Sequence, residues 1–318
     1  MSMDDVTVMT ATWYAEFAEL EARGVSPAYE RLSQAVARDE EILTLLDTLP
    51  EPKRQPNLLF GAVRLLGGPV LDPDAFHRFV LANWAAVAEQ MRGRATQTNE
   101  AGRCAVLLPV LAALPQPLAL LEVGASAGLN LYPDRYAYRY GEHTVGSGAP
   151  VLECAATGMP LPSALPRVVW RAGLDLNPLD VTDPADLAWL DALIWPEHDH
   201  RRSRLRAAAA VLAAEPPLLR RGDLVDDLAA LAAEAPADAT LVVFHTAVLY
   251  QVPSARRAAF TEVVRALPGH WISVEAPEVL DFDVPGSWPR PGARHVLALD
   301  GKPLAWAGAH GQTMDWFG

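Results

Sequence analysis

The segment LLEVGASAGLN, residues 120–130, combines an apolar run, one carboxylate and a turn of small residues. Residues 124–128, GASAG, match G-x-S-x-G, the pattern in which a nucleophilic serine stands on a sharp turn between a strand and a helix. A turn of small residues after a strand also lets the backbone approach a nucleoside-containing cofactor closely, and the N-terminus of the helix that we expect next favours polar or negative groups of the ligand. Hydrolysis through Ser126 and cofactor binding at the turn are therefore two hypotheses for one segment, and the surrounding elements must distinguish them.

The sequence pattern changes near residue 118. Before this point apolar residues recur at helical spacing, so we predict an all-α region over residues 1–115. After it, short apolar runs alternate with helix-like segments, which predicts a doubly wound, mostly parallel sheet. The runs are residues 118–124, 167–175, 217–223, 240–246 and 270–277. Two further alternating runs around Asp300-Gly301 predict a C-terminal antiparallel hairpin and bring the sheet to seven strands.

A serine hydrolase needs an acid–base partner for Ser126 and a glycine-rich loop that forms the oxyanion hole. His270, His295 and His310 follow Ser126 in the chain, so the order of the residues does not decide the question. However, several strands normally precede such a serine, and the residues before this turn have a helical pattern. The upstream pair Gly67-Gly68 does not follow a recognisable strand. The sequence favours cofactor binding and leaves the hydrolase as an alternative.

Polar or charged side chains end five consecutive predicted strands: Glu122, Asp175, Asp223, His245 and Glu275. The carboxyl ends of parallel strands meet at one edge of the sheet, where the ligands of doubly wound proteins bind. A carboxylate at the end of the second strand can accept hydrogen bonds from both hydroxyls of a ribose, which suits Asp175. The turn lacks G-x-G-x-x-G spacing and fits a cofactor without a pyrophosphate.

Together these motifs resemble the class I S-adenosylmethionine-dependent methyltransferases. LLEVGASAGLN stands where their glycine-rich first motif lies, AGLDLNP resembles their acidic second motif, and RRGD resembles their Gly-Asp turn near the adenine. The resemblance covers about residues 118–310 and implies S-adenosylmethionine as the cofactor. The candidate cofactor-binding residues are Glu122, Gly124, Ser126, Gly128, Asn130, Asp175 and Asp223.

Four segments are more closely similar to a bacterial family known only as a domain of unknown function: TNEAGRCAVLLPVL, LLEVGASAGLNL, AGLDLNPLDV and VVFHTAVLY. Membership implies a methyltransferase-like fold and little about the substrate. The chain departs from the methyltransferases at the turn, where many of them have more glycines, and in an insertion at about residues 134–167. We expect a strand or hairpin plus a loop in the insertion, which makes Glu142 a competitor of Asp175 for the ribose.

Candidate substrate contacts lie at the strand ends and before the last helix of the N-terminal region. We predict that His245 is the general base of a methyl transfer and that Tyr250 lines the pocket, although both residue types also suit a buried structural role. The candidate substrate-binding residues are Asn99, Glu100, Arg103 and Glu275. The first three fall within one turn and have a capping role as their alternative, and Glu275 has a solvated loop as its alternative.

A second polar cluster, residues 195–204, contains His198 and His200 in H-x-H spacing. A metal site needs further ligands at a matching spacing, and the sequence offers no third one. We therefore expect a charged helix start or an anion-binding patch here, and no metal.

The net charge of −13 disfavours nucleic acid and anionic membranes as partners. The apolar run of residues 104–125 is interrupted by prolines, so we predict a helix followed by a buried strand rather than a membrane span. Cys104 and Cys154 fit buried thiols of a reducing compartment, and the acidic N-terminus lacks the layout of a signal peptide. We expect a cytoplasmic protein with a small-molecule substrate, and the sequence leaves its oligomeric state open.

The sequence as a whole predicts a helical cap over residues 1–115 and an α/β domain with a Rossmann-like, methyltransferase-like sheet over residues 116–318. The expected function is transfer of a methyl group from S-adenosylmethionine to an unidentified small molecule. The first alternative is a protein of the same fold that binds a nucleoside cofactor without catalysis. The second is the hydrolase that uses Ser126.

Overall fold

The computed structural model describes residues 3–286 and 294–318. It forms two compact units: Met1–Thr98 with Asp183–Ser203, and Asn99–Thr182 with Arg204–Gly318. These limits differ from the predicted division at residue 115, because the last helix before the sheet belongs to the second unit. Residues 183–203 return to the first unit, which the order of elements along the chain does not reveal. Ala293, at the start of the predicted hairpin, lies outside the described residues.

The helices of the described chain are α1 Met3–Phe17, α2 Pro27–Val36, α3 Glu40–Asp47, α4 Pro56–Leu65, α5 Pro73–Gly93, α6 Cys104–Ala113, α7 Pro184–Leu193, α8 Asp199–Ala214, α9 Leu228–Ala232 and α10 Ser254–Ala266. The helical N-terminal region is confirmed. Ser26, Asp39 and Asp72 cap α2, α3 and α5 by accepting backbone N–H groups of the first turn. Proline stands in the first turn of α2, α4 and α5, where its missing N–H costs nothing.

The strands are β1 Leu118–Val123, β2 Ala137–Tyr140, β3 His143–Val145, β4 Val151–Glu153, β5 Ala155–Thr157, β6 Val168–Asp175, β7 Leu218–Arg221, β8 Thr240–Thr246, β9 His270–Glu275, β10 Arg294–Leu299, β11 Lys302–Gly308 and β12 Thr313–Trp316. All five predicted parallel strands and both strands of the predicted hairpin are present. The apolar run that precedes the turn is α6 followed by β1, as expected, and β1 is buried along its whole length.

One large sheet has the order β5-β12-β11-β10-β9-β8-β1-β6-β7. The strands β7, β6, β1, β8 and β9 run parallel to one another, and β10 is antiparallel to both β9 and β11. The predicted mostly parallel sheet with C-terminal antiparallel strands is therefore confirmed. The number of strands is corrected from seven to nine among the described residues. The additional strands, β5 and β12, pair with each other and are too short to give a clear alternation.

The insertion between β1 and β6 holds a separate sheet in which β2 pairs with β3 and β4. The hydroxyl groups of four tyrosines anchor it by donating hydrogen bonds to backbone carbonyl oxygens of other residues. These tyrosines are Tyr132, Tyr136, Tyr138 and Tyr140. Tyr140 pairs with His143, so Gly141 and Glu142 form the two-residue turn between β2 and β3. Of the strand or hairpin expected in the insertion, the structure shows the hairpin, formed by β2 and β3.

Side chains of the large sheet alternate between its two faces. The register places Leu121, Val243 and Trp271 on one face, where they form a hydrophobic core with residues of α9 and α10. We call this side the α10 face. Glu122 follows Leu121 in β1 and therefore projects from the opposite face. Thr246 is three residues after Val243 in β8, so it projects from that opposite face too. The two faces therefore present different chemistry at the carboxyl ends of the same strands.

Candidate functional site

The turn after β1 has backbone geometry that restricts which residues can occupy it. Gly124 and Gly128 have φ of +69° and +80°, and Ser126, which is not a glycine, has φ of +51°. Such a conformation costs free energy in a residue with a side chain and is often found at functional sites. A Cβ atom at position 124 would lie 2.5 Å from Cγ2 of Val248. The turn after β1 and the loop after β8 can therefore approach each other only because residue 124 is glycine.

The helix expected after this turn is replaced by a 3₁₀ turn, Leu129–Leu131, which leads into the tyrosine-anchored sheet. A full helix would have presented several free backbone N–H groups to a ligand, and it is also part of the strand–turn–helix arrangement of a hydrolase elbow. The sequence suggested a helix because a glycine-rich turn usually precedes one in doubly wound sheets. The insertion occupies that position instead.

Two side chains from different segments hold the turn in place. Asp175 accepts hydrogen bonds from the backbone N–H of Ser126 and of Asn177, both at 2.7 Å. Asn99 donates to the carbonyl oxygen of Ala125 at 3.2 Å and accepts from the N–H of Leu129 at 3.0 Å. The structure thus brings Asn99 and Asp175 to the glycine turn. Glu142, the competitor of Asp175, is exposed in the turn between β2 and β3.

Glu122 is 2 % exposed and lies near the end of β1, on the face opposite α10. Its Oε1 accepts one hydrogen bond, from Nδ2 of Asn130 at 2.9 Å. Its Oε2 is buried and has no hydrogen-bond partner among the described residues. Burial raises the pKa of Glu122 to about 8, although the bond from Asn130 and the charge of Arg103 lower it. Glu122 is therefore a largely protonated acid at neutral pH that can ionise when a donor or a cation approaches Oε2.

Ser126 is also buried, and its Oγ has no hydrogen-bond partner among the described residues. A serine nucleophile needs a base within hydrogen-bond distance of the hydroxyl. Of the histidines that the sequence offered, His270 instead binds Asp300 through Nδ1 at 2.8 Å, at the first residue of β9. The described geometry gives the hydrolase alternative no acid–base partner.

Glu275 ends β9 and is fully buried on the α10 face. Its Oε1 accepts three hydrogen bonds, from Nδ1 of His245 at 2.7 Å and from the backbone N–H groups of Val248 at 2.8 Å and Leu249 at 3.1 Å. Burial opposes ionisation, and these donors outweigh it, so the pKa of Glu275 lies below its usual value. Glu275 therefore fixes the loop that begins at Ala247, whose φ is +54°.

His245 is fully buried beneath α10 and has both ring nitrogens occupied. Nδ1 bonds to Glu275, and Nε2 accepts from Nε1 of Trp271 at 3.0 Å. A general base needs a free lone pair that faces the substrate, so this position does not match the predicted catalytic role of His245. Tyr250 is 61 % exposed and lies in the 3₁₀ turn Leu249–Gln251 after β8.

Arg103 is a buried cation beside the opposite face. Its Nη1 donates to the carbonyl oxygen of Thr246 at 2.8 Å and to Oγ1 of the same residue at 3.1 Å, and its Nε donates to the carbonyl of Ala309 at 3.0 Å. Its charge also acts on Glu122. Glu100 accepts from the N–H of Gly102 at 3.0 Å and from Nε of Arg204 at 2.6 Å. Glu100 thus takes the capping alternative, whereas Arg103 lies beside the strand ends.

His295, the second residue of β10, is a site residue for which sequence reasoning assigned no role beyond a possible triad partner of Ser126. Its Nδ1 is buried and has no hydrogen-bond partner among the described residues. Burial, together with the charge of Arg103, lowers the pKa of His295 to about 4. The alternation of RHVLAL could have pointed to it, because His295, Leu297 and Leu299 share one face of the strand.

Asp223 lies in the turn after β7 and binds locally. Its Oδ1 accepts from the backbone N–H of Val225 at 2.7 Å and of Asp226 at 3.3 Å, and it pairs with Arg256. Burial opposes ionisation, and these bonds outweigh it, so the pKa of Asp223 is lowered. The side chain is half-buried and orders a loop at the same edge of the sheet as Asp175.

The polar cluster 195–204 forms the start of α8, as one of its two preferred interpretations predicted. Arg202 donates to the carbonyl oxygens of Trp195 and Pro196. Glu197 accepts from Oγ of Ser26 at 2.7 Å and from the N–H of Ala28 at 2.9 Å. Within residues 3–286 and 294–318, no three His, Cys, Asp or Glu side chains are arranged to hold a metal ion.

Two cavities lie away from these strand ends. The larger, about 550 Å³, is an open depression of the first unit near Asp39 and His77. The other, about 190 Å³, lies at the start of β9 beside Trp271 and Asp300. Neither cavity includes the glycine turn or Glu122. What marks the turn as a candidate site is that two buried polar atoms without a partner among the described residues, Oε2 of Glu122 and Oγ of Ser126, lie in one short segment, since native interiors rarely leave such atoms unsatisfied.

The fold and these residues describe an α/β protein with a candidate ligand site at the carboxyl ends of its central strands. The chain belongs to the family described as "Uncharacterized protein conserved in bacteria (DUF2332)", which matches residues 11–69 and 70–316. No curated protein matches the chain. None of the helices in the described part of the chain is both long and apolar enough to span a membrane.

Proposed function

We propose that this protein is an S-adenosylmethionine-dependent methyltransferase that acts on a small molecule. The order of its parallel strands supports this proposal. Across the sheet, the parallel strands lie in the order β7-β6-β1-β8-β9. In chain order these are the third, second, first, fourth and fifth parallel strands, which is the strand order of a Rossmann-like sheet. The order reverses between β1 and β8, and ligands of such sheets bind in the crevice at that point. The loops that meet there carry Gly124 and Val248.

The observation that carries the proposal is the Oε2 atom of Glu122, buried next to the glycine turn without a partner among the described residues. A ligand that supplies both hydrogen-bond donors and a positive charge would satisfy it. An ammonium group has both properties, and the amino-acid part of S-adenosylmethionine carries one. The hydroxyl of Ser126, which also has no hydrogen-bond partner among the described residues, is a second polar group that a ligand at the same turn would satisfy.

The residues at the turn fit this cofactor. Glu122 would bind its ammonium group, Asp175 would accept the hydroxyls of its ribose, and Asp223 would lie near its adenine. Gly124 and Gly128 leave out the side chains that would fill the turn, and Asn99 holds the backbone in position. When bound, the cofactor supplies an electrophilic methyl group.

Calorimetric titration with S-adenosylhomocysteine between pH 6 and pH 8 tests the proposal. We expect micromolar binding to the wild type. Because the ammonium group binds the ionised carboxylate, and Glu122 is protonated below about pH 8, affinity should rise with pH by up to about tenfold per unit. Glu122→Gln should bind more weakly and lose this dependence. Glu142→Gln is the matched control, since it removes an exposed carboxylate, and it should behave like the wild type.

The outcomes separate two parts of the proposal. If S-adenosylhomocysteine does not bind at any pH, the cofactor assignment is wrong. If it binds equally well to the wild type and to Glu122→Gln, the cofactor assignment stands and the ammonium contact must be moved to another group.

A binding protein without catalysis is the second candidate, and the position of His245 favours it. The histidine that was expected to act as base has both nitrogens occupied. The two candidates differ in one measurement, transfer of a labelled methyl group from S-adenosylmethionine to the small molecules of a bacterial extract. A methyltransferase labels a product, whereas a binding protein binds the cofactor and labels none.

A further inference from the structure

Asn130 holds one oxygen of Glu122 from a buried position just after the glycine turn. Its Nδ2 donates to Oε1 of Glu122 at 2.9 Å, and the residue is 1 % exposed in the 3₁₀ turn Leu129–Leu131. The thiol of Cys104 donates to Oδ1 of Asn130 at 3.8 Å and to its backbone oxygen at 3.5 Å. The amide oxygen therefore has a donor of its own, and the amide nitrogen faces Glu122.

The bond from Asn130 decides which oxygen of Glu122 carries the proton when this residue is neutral. In a neutral carboxyl group one oxygen accepts hydrogen bonds and the other bears the proton. Because Oε1 accepts from the amide, the proton lies on Oε2, the atom that is buried without a partner among the described residues. The amide does not titrate, so Oε1 stays bonded in both states of Glu122 and only Oε2 changes.

Titratable and charged groups from three other segments act on Glu122 or respond to it: Arg103 from the turn before α6, Cys104 from α6, and Asp175, which also holds the glycine turn. Burial raises the pKa of Glu122 most, Asn130 and then Arg103 lower it, and Asp175 raises it, with a result of about 8. Burial and the charge of Glu122 raise the pKa of Cys104, so its thiol stays protonated. Asn130 is thus the strongest influence that favours the ionised carboxylate.

We propose that Asn130 is a positioning residue of the cofactor site: it keeps Oε1 of Glu122 occupied, so that Oε2 alone exchanges its proton for the ammonium group of the ligand. In this step the O–H bond at Oε2 breaks, its electron pair stays on the oxygen, and the proton passes to water. An N–H of the ammonium group then donates to Oε2. Asn130 acts through Glu122 and does not touch the cofactor. This inference rests on the proposed binding of S-adenosylmethionine.

The test compares Asn130→Leu with Asn99→Leu. The second variant is a matched control, because Asn99 holds backbone atoms of the same turn. Carbon NMR of the glutamate carboxyls, without ligand, follows the ionisation of Glu122, whose signal is identified by its absence in Glu122→Gln. Loss of a hydrogen bond to a charged group should raise the pKa of Glu122 by about one unit in Asn130→Leu and by less than about 0.3 unit in Asn99→Leu.

Calorimetric titration of the same variants with S-adenosylhomocysteine connects this ionisation to binding. One unit of pKa corresponds to a tenfold change in the ionised fraction. Affinity of Asn130→Leu should therefore be about tenfold below that of the wild type at pH 7, and the difference should narrow to about twofold at pH 9. Asn99→Leu disturbs the turn rather than the carboxyl, so it should weaken binding by a similar factor at every pH.

The wild type offers a second measurement that does not require Asn130→Leu to fold. The chain has five asparagines, so selective nitrogen labelling gives five side-chain amide signals. One of them should shift with the same midpoint as the Glu122 carboxyl in the wild type. The same signal should stay constant over that pH range in Glu122→Gln.

Three results would overturn the inference. An unchanged pKa of Glu122 in Asn130→Leu removes the influence of the amide, and so does the absence of any asparagine signal that follows Glu122. Weakening of S-adenosylhomocysteine binding by the same factor at every pH in both variants would show that Asn130 only holds the turn. If the wild type does not bind S-adenosylhomocysteine at any pH, the proposed function fails and the inference fails with it, and that result is recognisable because it does not depend on position 130.

Discussion

Two buried carboxylates stand at the ends of strands in the same sheet and behave in opposite ways. Glu122 is 2 % exposed and Glu275 is 0 % exposed, and each has one oxygen without a partner among the described residues. The pKa of Glu122 is raised to about 8, whereas that of Glu275 is lowered. The other oxygen makes the difference, because it accepts one hydrogen bond in Glu122 and three in Glu275. Burial alone does not decide ionisation here; the number of donors does.

The same difference distinguishes a carboxylate with a structural role from a candidate ligand-binding carboxylate at this edge of the sheet. Glu275 organises His245 and the loop after β8, and its ionised form is already stabilised by the chain. Glu122 meets too few donors to ionise in the free protein, so a ligand can change its state. A buried carboxylate that meets one donor is a better candidate for ligand binding than one whose charge three donors of the chain already stabilise.

The largest expected effect is the loss of stability on replacing Glu275. In Glu275→Leu three donors lose their acceptor: Nδ1 of His245 and the backbone N–H groups of Val248 and Leu249. Removing one partner of such a buried network costs about 3–5 kcal/mol. Urea unfolding of both variants at pH 7 measures the comparison, and Glu122→Leu should lose much less because a single bond, from Asn130, is removed. Equal losses in the two variants would contradict the difference drawn between the carboxylates.

The second effect is the pH dependence of stability that Glu122 confers. Its folded-state pKa of about 8 lies above the ordinary value of 4.5, so the folded state binds the extra proton between these values. Stability is therefore lost as pH rises from about 5 to 8, by about 3–4 kcal/mol in the absence of ligand. Glu122→Gln should lack this loss, measured as the change in unfolding free energy between pH 5 and pH 8.

Glu275 gives the opposite sign and serves as the internal comparison. Its pKa is lowered, so its stabilisation is present above the ordinary value of 4.5 and is lost as pH falls through the folded-state value. Acidification below pH 4.5 should therefore cost the wild type more than it costs Glu275→Gln. A matching slope for Glu122→Gln and the wild type above pH 5 would show that Glu122 is ionised in the free protein.

Much of this arrangement could be predicted from the sequence. The five apolar runs and the Asp300-Gly301 hairpin predicted the central strands, because buried parallel strands form continuous apolar segments with clear ends. The same property prevents a prediction of which face of the sheet each side chain occupies. TLVVFHT is apolar on both sides, so its pattern does not show that His245 points into the α10 core. Glu122 and Asp175 were found because a carboxylate at the end of an apolar strand stands out in composition.

Other features depend on tertiary contacts that no local pattern contains. The short strands β5 and β12 exist because they pair with each other across the chain. The helix expected after the glycine turn gives way to the tyrosine-anchored insertion, whose hydroxyl contacts span up to 83 residues of sequence. The bonding of Glu275 by the N–H groups of Val248 and Leu249 arises only when the loop after β8 folds over the end of β9.

The third prediction concerns Gly124, which lies close to Glu122 in the chain and packs against Val248. The backbone N–H of Val248 donates to Glu275, so this contact links the two regions that hold the carboxylates. Gly124→Ala adds a Cβ that would meet Val248 at 2.5 Å, whereas a Cβ at Gly141, which also has a positive φ, of +60°, would meet nothing within 4 Å. Both alanines carry the same backbone cost, so Gly124→Ala should lose about 1–3 kcal/mol more than Gly141→Ala. Thermal unfolding measures the difference, and Val248→Ala in the Gly124→Ala background should recover part of it. Absence of any recovery would assign the loss to the backbone rather than to the contact.

The smallest effect is expected at Ser126, on the unsatisfied side of the comparison. Its buried hydroxyl has no partner among the described residues, so Ser126→Ala removes a desolvated polar group without breaking a bond. The variant should be unchanged or more stable by up to about 1 kcal/mol in the free protein, because the wild type leaves that group unpaired. A ligand that uses the hydroxyl reverses the sign: S-adenosylhomocysteine should protect Ser126→Ala against unfolding less than it protects the wild type. Destabilisation of the free variant by more than about 1 kcal/mol would mean that the hydroxyl has a partner within the chain, and Ser126 would then have a structural role, as Glu275 has.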